Sequence, residues 1–349
     1  MGASLVRHFA ALGWEVLAHG RTKPAAPLLS LAKYVQADLE NALPHQACDA
    51  VIHAAALASD TANWDALKKA NLDGTRHVFE ATRDCPCFVY ISSSSVYDGR
   101  NDVHHEHESV DRQLLSPYGI SKRMAEDWLL EQDWSQRSLY ILRPRAVYGL
   151  GDRVLLPRLL RLVKRGQIFS PGDMRVSSSL THVDNLCAAI ELCVREAFLT
   201  TELSESLIPI KSGSESLKPR GVQIFNVADG KTYEMREIVH RLLSEIHGKQ
   251  LPFRTVPLLP LRYLAGVLER LDLAKQFTPY SLASVSKNCT LDITIIKKCL
   301  GYQPRQDFYS TLPEIASWVK HLGVERVKMA DRDLPWQSLH QNIFVDIRQ

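Results

Sequence analysis

DAVIHAAA, residues 49–56, is a short, continuous apolar run that ends in small residues. A strand exposed on one face alternates apolar and polar side chains. An unbroken run marks a parallel strand covered on both faces. EVLAHGR (15–21), CFVYIS (87–92) and SLYILRP (138–144) have the same form. Helical segments near 64–83 and 118–133 lie between them. Upstream, Leu5, Val6, Phe9, Ala10 and Leu12 share one helical face, and Gly13 suits a helix stop. Strands alternating with helices specify an α/β fold with a doubly wound parallel sheet.

After about residue 150 the pattern loosens. LLPRLLRLVKRG (155–166), NLCAAIELCVREAF (185–198) and MREIVHRLLSEIHG (235–248) read as helices, and VQIFNVADG (222–230) as a strand with a turn. Residues 1–150 are therefore expected to form one domain. Residues 151–330 form mainly a second, smaller α/β domain, with some segments returning to the first sheet. Residues 200–220 are Ser-, Glu- and Lys-rich with two prolines, which predicts an exposed insertion. Residues 331–349 are a C-terminal tail. No internal repeat is present.

The chain has 349 residues, 45% hydrophobic and 23% charged, as expected of a globular enzyme. A net charge of +3 gives no reason to expect nucleic acid as a partner. No run of about 18 apolar residues predicts a membrane span, and Arg7, His8, Trp14 and Glu15 interrupt any signal-peptide pattern at the start. The seven cysteines are an odd number without a CxxC pair. They read as buried or half-buried free thiols, which suits a reducing cytoplasm.

SPYGISK (116–122) carries the first chemical signal. Tyr118 and Lys122 are four apart, hence on one helix face. A phenol has an ordinary pKa of about 10, and a nearby ammonium favours its phenolate. Such a pair can exchange a proton with a carbonyl or alcohol oxygen. In FVYISSSSVYDG (88–99) a strand ends in a Ser cluster, and a hydroxyl there can hold the same oxygen. No G-x-S-x-G elbow surrounds these serines, which disfavours acyl transfer. HHEHE (104–108) has a metal-like composition but reads as a solvated loop, and LPLRYLAGVLERL (259–271) reads as an amphipathic helix packed on a core or pocket.

Together these segments resemble the extended short-chain dehydrogenase/reductase family, over roughly residues 2–320. VIHAAA (51–56), NLDGTRHV (71–78), YISSSSVYDG, SPYGISK, LRPRAVYGLGD (142–152), LTHVDNL (180–186) and LGYQP (300–304) match its motifs in order. The resemblance implies a Rossmann-type sheet and a nicotinamide cofactor. It makes Ser93 the catalytic hydroxyl, Tyr118 the acid/base, Lys122 its tuner and ribose contact, and Asn71 the organiser of the site. It assigns cofactor contacts to Gly2, Arg21, Asp38, Leu39, His53, Ala54, Ala55, Ala56, Ser92, Tyr118, Lys122, Pro144 and Val147, and no metal. It also implies a homodimer built through the Tyr/Lys helix, for which Met124, Trp128 and Leu129 are candidates.

The family begins with a strand and a G-x-x-G-x-x-G turn that holds the pyrophosphate. MGASLVRHFAALGWEV looks like the tail of that motif, with Gly2 as its last glycine. A start assigned at an internal Met is the favoured reading, and weak cofactor binding is the expectation for the chain as written. Where NAD-binding members end the next strand in Asp or Glu, this chain has Gly20-Arg21, so NADP(H) is favoured over NAD(H). Dehydratases usually carry Asp-Glu where this chain has Ser94-Ser95, and sugar-nucleotide enzymes often carry an arginine where it has Ser178. The resemblance is closest to hydroxysteroid-dehydrogenase-like members. An alcohol/ketone oxidoreductase is the first expectation. A nucleotide-sugar epimerase and a non-catalytic cofactor sensor are the alternatives.

Overall fold

A computed structural model describes residues 1–22, 26–59, 61–205, 221–261, 263 and 286–329. The first half runs α1 (Gly2–Ala11), β1 (Leu17–Gly20), α2 (Ala26–Leu29), β2 (Lys33–Gln36), β3 (Ala50–His53), α3 (Trp64–Lys68), α4 (Gly74–Ala81), β4 (Cys87–Ile91), β5 (Val103–His104), α5 (Pro117–Leu130) and β6 (Ser138–Pro144). There follow β7 (Val147–Tyr148), α6 (Leu155–Leu160), β8 (Val163–Lys164), β9 (Gln167–Pro171), β10 (Ser177–Ser179), β11 (Thr181–His182) and α7 (Val183–Glu205). Then come β12 (Val222–Val227), β13 (Thr232–Glu234), α8 (Met235–His247), β14 (Phe253–Val256), β15 (Thr290–Leu291) and the helices Thr294–Leu300, Phe308–Leu322 and Val324–Lys328. No helix among the described residues is long and apolar enough to cross a membrane.

The main sheet is parallel, in the order β12-β6-β4-β3. Every residue of β4 and β6 is buried, because helices cover both faces. Phe88 and Tyr90 pack with Leu72, Val78, Ala125 and Leu129 from the α4 and α5 side. Cys87, Val89 and Ile91 pack with Leu5, Phe9, Leu186, Ile190 and Val194 from α1 and α7. Each such aliphatic or aromatic side chain contributes about 1.5–3 kcal/mol by leaving water. A third core joins α6, α8, β9 and helix Phe308–Leu322. β1 and β2 form a separate two-stranded parallel sheet, with no ladder to β3 among the described residues.

Several expectations are corrected. The helix read over 155–166 stops at Leu160, and the chain turns between the antiparallel β8 and β9 with Arg165 and Gly166 at φ 50° and 72°. α7 runs on to Glu205, so the first residues of the 200–220 segment are helical. Residues 206–220, 330–349 and most of 259–271 lie outside the described residues. HHEHE is not a solvated loop: His104 and Glu106 are buried while His105 and His107 are exposed. The cause is pairing of β5 with β15, which gives the segment an inner face.

Cys48 and Cys85 are not free thiols but form a disulfide. β3 pairs with β4 in the register Ala50↔Cys87, so the residues two positions upstream, Cys48 and Cys85, fall side by side, with Cα atoms 5.5 Å apart. The cysteine content therefore no longer argues for a reducing compartment. Cys87, Cys187 and Cys193 are buried free thiols, Cys289 is half-buried and Cys299 is exposed.

Candidate active site

The parallel strands β3, β4, β6 and β12 end at one edge, the edge where open α/β sheets bind ligands. Ser92 and Ser93 follow β4 directly. Ser93 Oγ accepts from Ser95 N and donates to Ser95 Oγ, both at 3.1 Å, which caps a one-turn helix over Ser94–Val96. Ser92 is buried, and its Oγ has no hydrogen-bond partner among the described residues.

α5 docks on this turn. Ser116 caps it by accepting from Gly119 N at 3.0 Å, and Pro117 takes the first helical position, where no donor is needed. A Cβ built on Gly119 would lie 2.1 Å from Ser95 O, so only glycine lets the helix approach so closely. Tyr118 is half-buried beside this contact. One turn on, Lys122 is 1% exposed, donates from Nζ to Ile91 O at 2.8 Å, and lies 4.1 Å over the Tyr90 ring. Burial pulls its pKa down to about 7, against the opposing pull of Glu126.

Asn71 is fully buried in a wide helical turn, Lys69–Asp73, between α3 and α4. Its Oδ1 accepts from Leu57 N (2.7 Å), and its Nδ2 donates to Leu57 O (3.2 Å) and Ser121 Oγ (2.9 Å). Ser121 Oγ in turn donates to Tyr118 O at 2.8 Å. Asn71 thus ties the loop after β3 to the backbone of the Tyr118 turn. Wide turns of this kind are frequent at functional sites.

The remaining candidates fall in different places. Ala54 is half-buried, and Ala55 and Ala56 are exposed at the end of β3. Pro144 closes β6 and Val147 opens β7, flanking Ala146, whose φ of 44° is rare for a residue with a Cβ. His53 points inward: its Nε2 is 3.0 Å from Thr75 Oγ1, and burial followed by the charge of Lys122 pulls its pKa down to about 3. Gly2 is exposed, and an added Cβ would meet nothing within 4 Å. Arg21 is exposed just past β1, where Tyr34 Oη donates to Gly20 O at 2.6 Å. A Cβ on Gly20 would lie 2.8 Å from the Tyr34 hydroxyl oxygen, so a side chain there requires that phenol to shift. Asp38 is exposed and its Oδ1 accepts from Glu40 N, while Leu39 O faces His77 Nδ1 at 2.7 Å. Leu129 is fully buried and Trp128 stacks edge-on against Phe79, so core packing uses these two dimer candidates.

Sequence reasoning missed the support beneath α5. Glu126 and Arg143 form a fully buried bidentate pair, with Nε–Oε1 at 2.9 Å and Nη2–Oε2 at 2.6 Å. Arg143 Nη1 also donates to Tyr97 Oη at 3.1 Å. Arg145 Nε donates to Ser178 Oγ at 3.0 Å, joining the end of β6 to β10. The one local signal was Gly119: a glycine inside a helix is unfavourable unless something approaches it.

The sequence model of the NAD dependent epimerase/dehydratase family matches residues 1–200. The chain is 27% identical to a 2-alkyl-3-oxoalkanoate reductase of Stenotrophomonas maltophilia (strain K279a), over 73% of this chain and 76% of that one. It is 26% identical to the decarboxylating sterol-4-alpha-carboxylate 3-dehydrogenase of Saccharomyces cerevisiae (strain ATCC 204508 / S288c), covering 81% and 80%. Among solved structures, MoeE5 in complex with UDP-glucuronic acid and NAD superposes with a TM-score of 0.67 at 22% identity, over 92% of this chain and 96% of that one.

Proposed function

Because the chain belongs to the NAD dependent epimerase/dehydratase family, the extended short-chain dehydrogenase/reductases, we propose that it is an NAD(P)-dependent oxidoreductase acting on an alcohol or ketone through Ser93, Tyr118 and Lys122. The observation that carries this reading is the docking of α5 on the end of β4. One close contact at Gly119 and one hydrogen bond from Lys122 join the phenol and ammonium of α5 to the strand end that bears Ser93.

The residues at this edge fit a nicotinamide dinucleotide. The buried, unpartnered Ser92 Oγ and the small side chains of Ala54–Ala56 lie where the parallel strands end. Ala54–Ala56, Ser92, Pro144, Val147 and Lys122 would hold it, with Arg21 beside the adenosine ribose. When bound, it supplies or accepts hydride at a carbonyl carbon. Tyr118 gives or takes the proton of the substrate oxygen, Ser93 donates a hydrogen bond to that oxygen, and Lys122 biases Tyr118 toward phenolate. Asn71 keeps the Tyr118 turn in place.

NADP(H) is the preferred cofactor on this reading. The strand ends in Gly20 rather than a carboxylate, and the Arg21 guanidinium suits a 2′-phosphate. The similarity to sterol and oxoalkanoate oxidoreductases favours an apolar hydroxy or oxo compound over a sugar nucleotide.

The test is fluorescence titration with NADPH and NADH, then turnover on a panel of ketones and UDP-sugars. Weak NADPH binding, ketone reduction, and a Tyr118→Phe variant that still binds but loses about 10²–10⁴ in kcat are expected. Nearly full turnover by Tyr118→Phe refutes the acid/base assignment. Epimerised UDP-sugar without net oxidation replaces the reading with the epimerase.

A further inference from the structure

We propose that Arg145 is a specificity residue that binds a carboxylate on the substrate, so that the compound turned over is an apolar hydroxy or oxo acid. This rests on the reading that Ser93 and Tyr118 hold the substrate oxygen, and it adds a second point of attachment.

Strand register brings the two points together. β4 pairs with β6 with Ile91 opposite Leu142, and Ser92 N donates to Leu142 O at 2.7 Å. Ser93 lies just past the end of β4, and Arg145 just past the end of β6. The two therefore leave adjacent strands at nearly the same level, and adjacent strands are about 4.8 Å apart.

Arg145 is fixed through its backbone and its side chain. Its N donates to Thr181 Oγ1 at 3.1 Å, and its O accepts from the same hydroxyl at 2.9 Å. Its Nε donates to Ser178 Oγ at 3.0 Å. Ser178 is buried and held on both sides, by Tyr233 across the β10–β13 pair and by a bridge to Cys289. The guanidinium therefore has a set direction.

Its remaining N–H groups are open. Among the described residues no carboxylate pairs with Arg145, and Nη1 and Nη2 make no hydrogen bond. Neither nitrogen is sealed in the interior. The more deeply buried arginines differ. Arg143 is taken up by Glu126 and Tyr97, and Arg137 donates to Cys85 O and Thr82 O. Arg145 is half-buried and permanently charged, so an uncompensated cation stands at the edge where the parallel strands end.

Two open Nη groups form the planar fork that matches a carboxylate. One fork neutralises one carboxylate, whereas a diphosphate carries at least twice that charge. With its carboxylate on Arg145 and its oxygen on Ser93 and Tyr118, the substrate is held at two points, which restricts how the reacting carbon can lie.

The test uses 3-hydroxydecanoate, its methyl ester and UDP-glucose. The ester keeps the hydroxyl and the apolar chain and removes the charge. Each is titrated calorimetrically into the full-length protein with excess NADP⁺, and each is then offered for turnover. The acid is expected to bind at least about 10-fold tighter than the ester, with the preference shrinking as salt is raised. Arg145→Met should abolish the preference, Arg145→Lys should restore part of it, and Ser178→Ala should reduce it several-fold by releasing Nε. Equal binding of acid and ester by the wild-type protein overturns the proposal even if no variant folds, and so does failure of both to bind. An unchanged preference in folded Arg145→Met, or UDP-glucose binding that depends on Arg145, overturns it as well. A preference that follows Arg145 with no oxidation of the acid keeps Arg145 as the carboxylate contact and removes the oxidoreductase reading. Equal oxidation of acid and ester does the reverse.

Discussion

Replacing Lys122 by Met should stabilise the protein in proportion to acidity. The folded state drops the Lys122 pKa from 10.5 to about 7, because the ammonium is fully buried. Below pH 7 both the folded and the unfolded chains carry the proton, and the folded chain bears the full penalty of a buried charge. At 1.36 kcal/mol per tenfold change in proton affinity, the penalty is about 5 kcal/mol. Met preserves the apolar stem but gives up the bond to Ile91 O and the contact with Tyr90, worth together about 1–3 kcal/mol. A net gain of about 2–4 kcal/mol at pH 6 is therefore expected for the variant.

The sign reverses the usual trend for a paired lysine. Between about pH 7 and 10.5 the unfolded chain holds a proton that the folded chain has released, so wild-type stability rises with pH through that window. The variant lacks this rise. Its advantage should shrink by about 1.4 kcal/mol per pH unit, hence by about 2 kcal/mol between pH 7.5 and 9. Urea unfolding of both proteins at pH 6, 7.5 and 9 measures it. A stability difference that does not change with pH refutes the buried-charge account of Lys122, whatever its activity.

Other outcomes follow from the same packing. Gly119→Ala places a methyl 2.1 Å from Ser95 O, and should lower stability by about 1–3 kcal/mol and reduce kcat, measured by unfolding and turnover together. Glu126→Gln leaves the buried Arg143 without its counter-charge and should destabilise by about 3–5 kcal/mol in urea unfolding. Asn71→Ala removes three hydrogen bonds at once, two of them to the Leu57 backbone. It should lower stability by about 2–4 kcal/mol and raise hydrogen exchange in the loop after β3.

The sequence made the core strands legible because β4 and β6 are covered on both faces, and their unbroken apolar runs say so. KYVQ, which forms β2, was missed because, among the described residues, it pairs only with β1 and keeps Lys33 and Gln36 exposed. The Cys48–Cys85 bond was hidden for a different reason: strand register, not sequence spacing, brings the two together. HHEHE misled because its polar residues are buried by a partner strand about 185 residues away, a pairing no local pattern announces. Around the candidate site, Tyr118, Lys122 and the Ser cluster were readable as motifs. The groups that hold them, Ser121, Glu126 and Arg143, meet their partners only in the folded chain.

The separate β1–β2 ribbon has a thermodynamic consequence. A two-stranded parallel pair is marginal by itself, and this one adds no rung to the four-stranded ladder. It should open as its own unit, exchanging amide protons well before β4 and β6 do. Arg21 and Asp38 sit at the ends of its two strands. The half of the cofactor they are proposed to meet would then tighten the looser part of the sheet. Occupancy would appear less as a change of shape than as slowed exchange at Leu17–Gly20 and Lys33–Gln36.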